Sequence, residues 1–206
     1  MKKQSDITIN SSSPSEEHSK ELMLIENQFS ITEWQQLTNQ DAVYLSKQLD
    51  KSTTVVSRDP EWLLENTKDK NSIAVYDNNK LIWFILMDVY PDNYHWKNIH
   101  ERVSLRVDQS YRGKKIWKYL IMKITKDFEW QPIASYTPNE KVWHVSKNHL
   151  WFEEVTINKI TPAVVKILES WWPLDGEWYK FYFNKELIQL MSQDEKSRWI
   201  TIDTKY

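Results

Sequence analysis

The chain has 206 residues and near-balanced charge, with 27 Lys and Arg against 29 Asp and Glu for a formal net charge of -2; this gives no basic footprint of the kind nucleic-acid binders carry. It has no cysteine, which excludes disulfides, thiolate metal sites and a cysteine nucleophile, and no apolar run long enough for a membrane span or a signal-peptide core, so a cytoplasmic protein is expected. Two counts are abnormal: glycine is 2 and tryptophan 12, where ordinary usage predicts roughly 14 glycines and few tryptophans.

Residues 1–27 are polar and rich in Ser, Glu and Lys around Ser11-Ser12-Ser13-Pro14-Ser15, the composition of a disordered leader. Leu22-Met23-Leu24-Ile25 closes this stretch as a candidate first strand. One domain is expected over 28–191, then a polar tail over 192–206. Ser30 or Thr32 is placed to cap a helix, with Glu33 in its first turn and Leu37, Val43, Tyr44, Leu45 and Leu49 as apolar positions to about Lys51. Asp59-Pro60-Glu61 opens a second helix, with Asp59 as cap and Pro60 at the first position. The period then changes to two. Ser72–Tyr76 and Leu81–Val89 read as strands joined by the turn Asp77-Asn78-Asn79-Lys80, because Asn tolerates positive φ. Pro91–Lys97 reads as a loop, and Val103, Leu105 and Val107 alternate with Arg102, Ser104 and Arg106 as a third strand.

The stretch Tyr111-Arg112-Gly113-Lys114-Lys115-Ile116-Trp117 follows that strand and opens a helix whose core stripe is Ile116, Leu120, Ile124 and Phe128. A strand, a basic turn and a helix start make an anion site, since the first helical N–H groups are unpaired and the dipole favours negative charge there. Beyond it, Pro132–Tyr136 is a strand, Pro138-Asn139-Glu140 starts a helix to about His149, Phe152–Ile157 is a strand, and Thr161-Pro162 caps a helix through Glu169. Pro173–Gly176 is a loop and Tyr179–Phe183 a last strand. This order implies an α/β (α+β) chain with a mixed, mostly antiparallel sheet flanked by helices on both faces.

With those motifs in view, Ser30 to Asn184 resembles the GCN5-related N-acetyltransferase (GNAT) superfamily. Leu105-Arg106-Val107-Asp108-Gln109-Ser110-Tyr111-Arg112-Gly113-Lys114-Lys115-Ile116-Trp117 is similar to that family's fourth strand and pyrophosphate turn, often Tyr-Arg-Gly-Lys-Gly-Ile-Gly, with departures at Lys115 and Trp117. Leu81-Ile82-Trp83-Phe84 stands where the family hairpin carries apolar-Gly-Phe, and Leu150-Trp151-Phe152-Glu153-Glu154 where it has Leu-Gly-Phe and acids. Trp83, Trp117 and Trp151 therefore fall at expected glycines. One reading is that the source organism decodes UGA as glycine and this translation reads it as tryptophan. The other is that the tryptophans are real and pack an aromatic-rich core, in which case Trp117 crowds the phosphate turn and a non-catalytic binding or regulatory module becomes the alternative.

The resemblance implies an acyl-CoA N-acyltransferase that moves an acetyl group from acetyl-CoA to an amine by direct attack in a ternary complex. It implies that Leu105, Arg106 and Val107 hydrogen-bond the pantetheine, and that Arg112, Gly113, Lys114, Lys115, Ile116 and Trp117 hold the pyrophosphate. Asn139 resembles the asparagine that opens the later helix in relatives and is assigned to cofactor binding. Glu101 is the first candidate for the base, with a solvated strand-end charge as the plainer reading. The family's thiolate acid is a tyrosine on that later helix; here its slot falls on Lys147 or Ser146, and Ser146, His144 and His149 are the candidates. No metal constellation is present. The acceptor is an unassigned small molecule or protein amine, its site expected among 59–64, 91–99 and 173–178. Neither nucleic acid nor membrane is an expected partner, and oligomeric state is open, a homodimer included.

Overall fold

The computed structural model describes residues 23, 25–33, 35–51, 57–68, 71–114, 116–137, 139–170 and 180–203. Most of the predicted leader, Lys115 and the 173–176 loop lie outside them; Met23 and 25–28 are helical, so the described part of 22–25 is not the strand expected there. The strands are β1 (Ser30–Glu33), β2 (Ser72–Asp77), β3 (Lys80–Tyr94), β4 (Lys97–Val107), β5 (Ile133–Tyr136), β6 (Glu153–Thr156) and β7 (Lys180–Phe183). The helices are α1 (Asn39–Leu49), α2 (Pro60–Asn66), α3 (Ile116–Asp127), α4 (Glu140–Leu150), α5 (Pro162–Glu169) and α6 (Lys185–Asp203). The strands form one sheet of seven in the order β1-β2-β3-β4-β5-β7-β6. Among the described residues only β4–β5 is parallel, so the expected mixed, mostly antiparallel sheet is present.

Two boundaries differ from the sequence pattern. Ser30–Glu33 is a strand paired with β2, not the start of a helix; the cap is Thr38, whose Oγ1 accepts from the Asp41 N–H at 3.1 Å. Pro91–Lys97 is not a loop, because β3 runs to Tyr94 and turns through His95-Trp96 into β4. Both turn residues have positive φ, 50° and 65°, like Asn78 and Asn79 at 47° and 63°. Such two-residue hairpin turns match strand twist. The last helix, α6, runs from Lys185 to Asp203.

Helices cover both faces. On one, α3 and α4 pack on the sheet through Ile116, Leu120, Ile124 and Val145 against Ile73, Val75, Ile85 and Met87. On the other, α1 and α2 bury Ala42, Leu45, Leu49 and Leu63 against Leu81, Phe84, Leu86 and Val103. Alongside them α5 and α6 bury Val164, Leu168 and Leu187 against Tyr90, Ile99, Phe181 and Phe183. Each fully buried Leu or Ile contributes about 1.5–3 kcal/mol relative to exposure. α2 starts as its sequence predicts: Asp59 Oδ1 accepts from the Trp62 N–H at 2.7 Å, with Pro60 in the first turn.

Candidate functional site

The sheet opens at one place. β4 and β5 pair only at His100–Ile133 and Glu101–Ala134. From Arg102 onward the edge of β4 has no β5 partner, and β5 continues paired to β7. Within the unpaired stretch the β3 register moves from Leu86–Val103 to Phe84–Arg106, so Ser104 and Leu105 stand opposite Ile85 alone. Ser104 takes φ +57°. This is a β-bulge, which re-aims backbone and often lies beside functional sites. It also reverses the facing of the strand: Leu105 and Val107 pack with α3, while Arg106 reaches α1, its Nη2 donating to Gln48 Oε1 at 3.4 Å. The side chains of these three residues are thus occupied, and what they can offer a ligand is their backbone.

Immediately after β4 comes the turn into α3. Asp108 organises it, accepting from the Ser110 N–H at 3.0 Å, from Lys80 Nζ at 2.8 Å and from the Tyr44 hydroxyl at 3.2 Å. The Lys80 contact is the main reason its carboxyl is held down at about 2. Tyr111 donates to Asp77 Oδ2 at 2.6 Å. Arg112, Gly113 and Lys114 are exposed, and Lys114 Nζ lies 5.1 Å from the Tyr111 ring centre and 5.3 Å from that of Phe29. Gly113 has φ +87° with open space around it, so conformation rather than crowding requires glycine here. Ile116 is buried, and Trp117, half-buried in the first turn of α3, lines a cavity of about 1100 Å³. Lys118, Tyr136, Lys141, His144 and Lys147 also line it.

Asn139 caps α4, its Oδ1 accepting from the Lys141 N–H at 3.0 Å; the side chain has a structural use. Ser146 is buried in α4. Its hydroxyl donates to Val142 O at 3.0 Å and accepts from Arg102 Nη2 at 2.9 Å. Its one proton is therefore engaged, which gives Ser146 an acceptor's role rather than the acid role expected of it. His144 and His149 sit on the same helix, and burial with the nearby charges of Lys118 and His144 makes His149 harder to protonate.

Glu101 is no solvated strand end. It lies mid-strand, 1% exposed, on the sheet face opposite α3 and α4, and its Oε2 accepts from the Tyr90 hydroxyl at 2.6 Å. Directly across the ladder is Asp88, so the two carboxylates share a face. Asp88 is buried, its Oδ1 accepts from the Val89 N–H at 2.8 Å, and its Oδ2 has no partner among the described residues. Burial raises its carboxyl to about 6, and the Arg58 charge opposes that rise. Asp88 and Tyr90 were not singled out from the sequence. The signal was available: Asp88 is the one charge between Leu81 and Tyr90. The structure does not bring Glu101 and Ser146 together on one face; they stand on opposite sides of the sheet.

The tryptophans divide. Trp96 and Trp151 take φ +65° and +57°, at the second position of a hairpin turn and at a helix C-terminus, the two settings where glycine is most favoured. They are 97% and 80% exposed. Trp83 is different: it is 1% exposed in the core, though its indole N–H has no acceptor. Among the described residues no group of three or more His, Asp or Glu could hold a metal, and no helix is long and apolar enough to cross a membrane.

No family model matches the sequence, and no curated protein does either. Solved structures do match in fold. N-acetylglutamate synthase from Neisseria gonorrhoeae, in complex with coenzyme A and N-acetyl-glutamate, aligns at TM-score 0.55 and 12% identity over 76% of this chain and 34% of that one. A Mycobacterium tuberculosis protein in complex with CoA aligns at TM-score 0.55 and 12% identity over 75% and 98%. Diaminobutyrate acetyltransferase from Paenibacillus lautus, with its substrate L-2,4-diaminobutyric acid and coenzyme A, aligns at 0.52 and 10% identity over 75% and 93%. The chain spans about a third of the first of these and nearly all of the other two. The fold is shared with these coenzyme A-bound structures.

Proposed function

We propose that this protein is an acyl-CoA N-acyltransferase that passes an acetyl group from acetyl-CoA to an amine. The observation that carries this reading is the opening between β4 and β5, with the Ser104 bulge on one side of it and the Gly113 turn at its end. An unpaired strand edge can take up a pantetheine chain by hydrogen bonds, and a glycine turn into a helix N-terminus suits a pyrophosphate. The residues present fit the group on both counts. Acetyl-CoA supplies the activated acyl group as a thioester. The backbone of Leu105, Arg106 and Val107 aligns it, and an N–H at the bulge meets the charge that develops on the carbonyl oxygen. The turn from Arg112 to Trp117 holds the pyrophosphate through backbone amides, with Arg112, Lys114 and Lys115 adding charge.

Glu101 is the proton acceptor for the incoming ammonium, oriented by Tyr90 at 2.6 Å. The acceptor approaches from the Glu101 face, so acyl donor and acceptor enter from opposite sides of the sheet. The coupled structures of relatives with amino-acid ligands make small amino acids the first acceptors to try. The compartment proposed is the cytoplasm.

The tryptophan pattern belongs to the same reading. Trp117 and Trp151 stand at glycines expected from the resemblance, and Trp96 and Trp151 in backbone conformations that favour glycine; recoding of UGA as glycine accounts for all three. The second reading, a non-catalytic module with genuine tryptophans, is favoured by the complete burial of Trp83. Titration calorimetry with acetyl-CoA, on the chain as written and with Trp96, Trp117 and Trp151 replaced by glycine, tests both. Binding by the glycine form alone supports acyl transfer with recoding. Binding by neither form overturns the enzyme reading, and TGG codons at these positions overturn recoding.

A further inference from the structure

Arg102 is a cation in a place that gives it little to pair with. It is 8% exposed and follows the last β4–β5 pair, Glu101–Ala134, so it stands at the vertex where the sheet opens. Its side chain lies on the α3 and α4 face. Nη1 donates to Thr125 Oγ1 at 3.3 Å and Nη2 to Ser146 Oγ at 2.9 Å. Both hydroxyls in turn donate to carbonyls of their own helices, Thr125 to Ile121 O at 2.7 Å and Ser146 to Val142 O at 3.0 Å. They are acceptors for the guanidinium and carry no charge to set against it. The guanidinium carbon lies 4.5 Å from the centre of the Phe152 ring, and Nε is buried with no partner among the described residues. Desolvation lowers the guanidinium to about 10, with the Glu101 charge opposing.

Burying a charge costs several kcal/mol per ion unless its partners replace the lost water. Two neutral hydroxyls and a ring do this in part, and a free N–H remains. An anion arriving at the vertex would complete the set. A thioester laid along the β4 edge, with its pyrophosphate at the Gly113 turn, brings one sulfur atom to that end of the opening. We infer that Arg102 stabilises the thiolate released from coenzyme A, in the role for which Ser146 stood as candidate, while Ser146 and Thr125 hold the guanidinium in place.

The step balances without a further reactant. The amine nitrogen bonds to the carbonyl carbon, the carbon–sulfur bond breaks, and its electron pair stays on sulfur as a thiolate paired with Arg102. The ammonium gives one proton to Glu101 on the other face as it becomes the attacking amine, and the second, shed as the carbon–nitrogen bond forms, goes to water. Arg102 keeps all its protons.

This inference rests on the acyl-transfer reading, and one experiment separates the two. Coenzyme A is bound to the full chain and the ultraviolet absorbance of its thiolate is followed against pH, beside free coenzyme A. The expected result is a midpoint lower by one pH unit or more in the complex, a tenfold or greater easing of ionisation. Arg102→Met should return the midpoint to that of free coenzyme A while binding persists through the turn; circular dichroism checks that the variant folds. A midpoint in the complex equal to that of free coenzyme A overturns the inference and leaves acyl transfer standing, whether or not the variant folds. A lowered midpoint that persists in folded Arg102→Met also overturns it, since some other group then holds the thiolate. Failure of coenzyme A to bind overturns both.

Discussion

Replacing Trp96 and Trp151 by glycine should stabilise this protein, the reverse of what loss of two large aromatic residues ordinarily does. Both sit in the left-handed region, at φ +65° and +57°, where a residue with a Cβ carries about 1–2 kcal/mol of strain. Neither regains that through packing, since 97% and 80% of their surfaces face solvent. Glycine raises the entropy of the unfolded chain, which offsets about 0.5–1 kcal/mol. The net expectation is about 0.5–1 kcal/mol per site from these terms, and the effects should add because one site is a hairpin tip and the other a helix end. The assay is urea unfolding of Trp96→Gly, Trp151→Gly and the double variant at fixed pH, compared through the midpoint at constant slope. A midpoint that falls in either single variant would show that the indole makes a stabilising contact, and would remove the conformational support for glycine at that position.

Other substitutions test the site itself. Glu101→Gln should lower kcat by about 10²–10⁴, the usual contribution of a positioned base, with acetyl-CoA affinity unchanged; equal activity in the two proteins refutes Glu101 as the base. Asp88, raised to about 6 by burial from an ordinary 3.8, should weaken the fold as pH rises. Below about pH 4 it is protonated whether folded or not, and above about pH 6 the fold must hold a buried charge, a difference of about 3 kcal/mol at 1.36 kcal/mol per unit. Asp88→Asn should therefore gain stability relative to the parent between pH 4 and pH 7; a pH-independent difference contradicts this. Gly113→Ala should cost about 0.5–1 kcal/mol, the strain of a Cβ at its φ of +87° less the gain from a less free unfolded chain, because no atom lies within 4 Å of the added Cβ. A loss in urea unfolding much larger than that would mean the turn is more crowded than described.

Local signals made much of this fold legible. Asp59-Pro60, Asn78-Asn79 and the every-fourth-residue spacing of Ile116, Leu120 and Ile124 each encode their structure within a few residues, and each is found where the pattern puts it. The start of the domain was misread because Ser30 and Thr32 have the chemistry of caps, while pairing with β2 decided their conformation. The His95-Trp96 turn was misread for a different reason: neither residue advertises positive φ, so a tight hairpin looked like a loop. In the site, Glu101 was implied by the family resemblance, but its burial and its contact with Tyr90 are tertiary facts. Arg102 was counted only as an outward member of an alternating strand. Its burial follows from α4 closing over that face, with Ser146 supplied from 44 residues away, and no local pattern carries such information.

In the proposed complex acetyl-CoA lies along the unpaired edge of β4 with its pyrophosphate at the turn into α3. Hydrogen exchange of backbone amides, measured with and without acetyl-CoA, tests it most directly, because the groups proposed to hold the ligand are themselves exchangeable N–H groups. Slowed exchange is expected at Leu105, Val107 and the turn from Arg112 to Trp117, with the β1–β2 pair unchanged. Protection confined to other elements, or none at saturating acetyl-CoA, would contradict it.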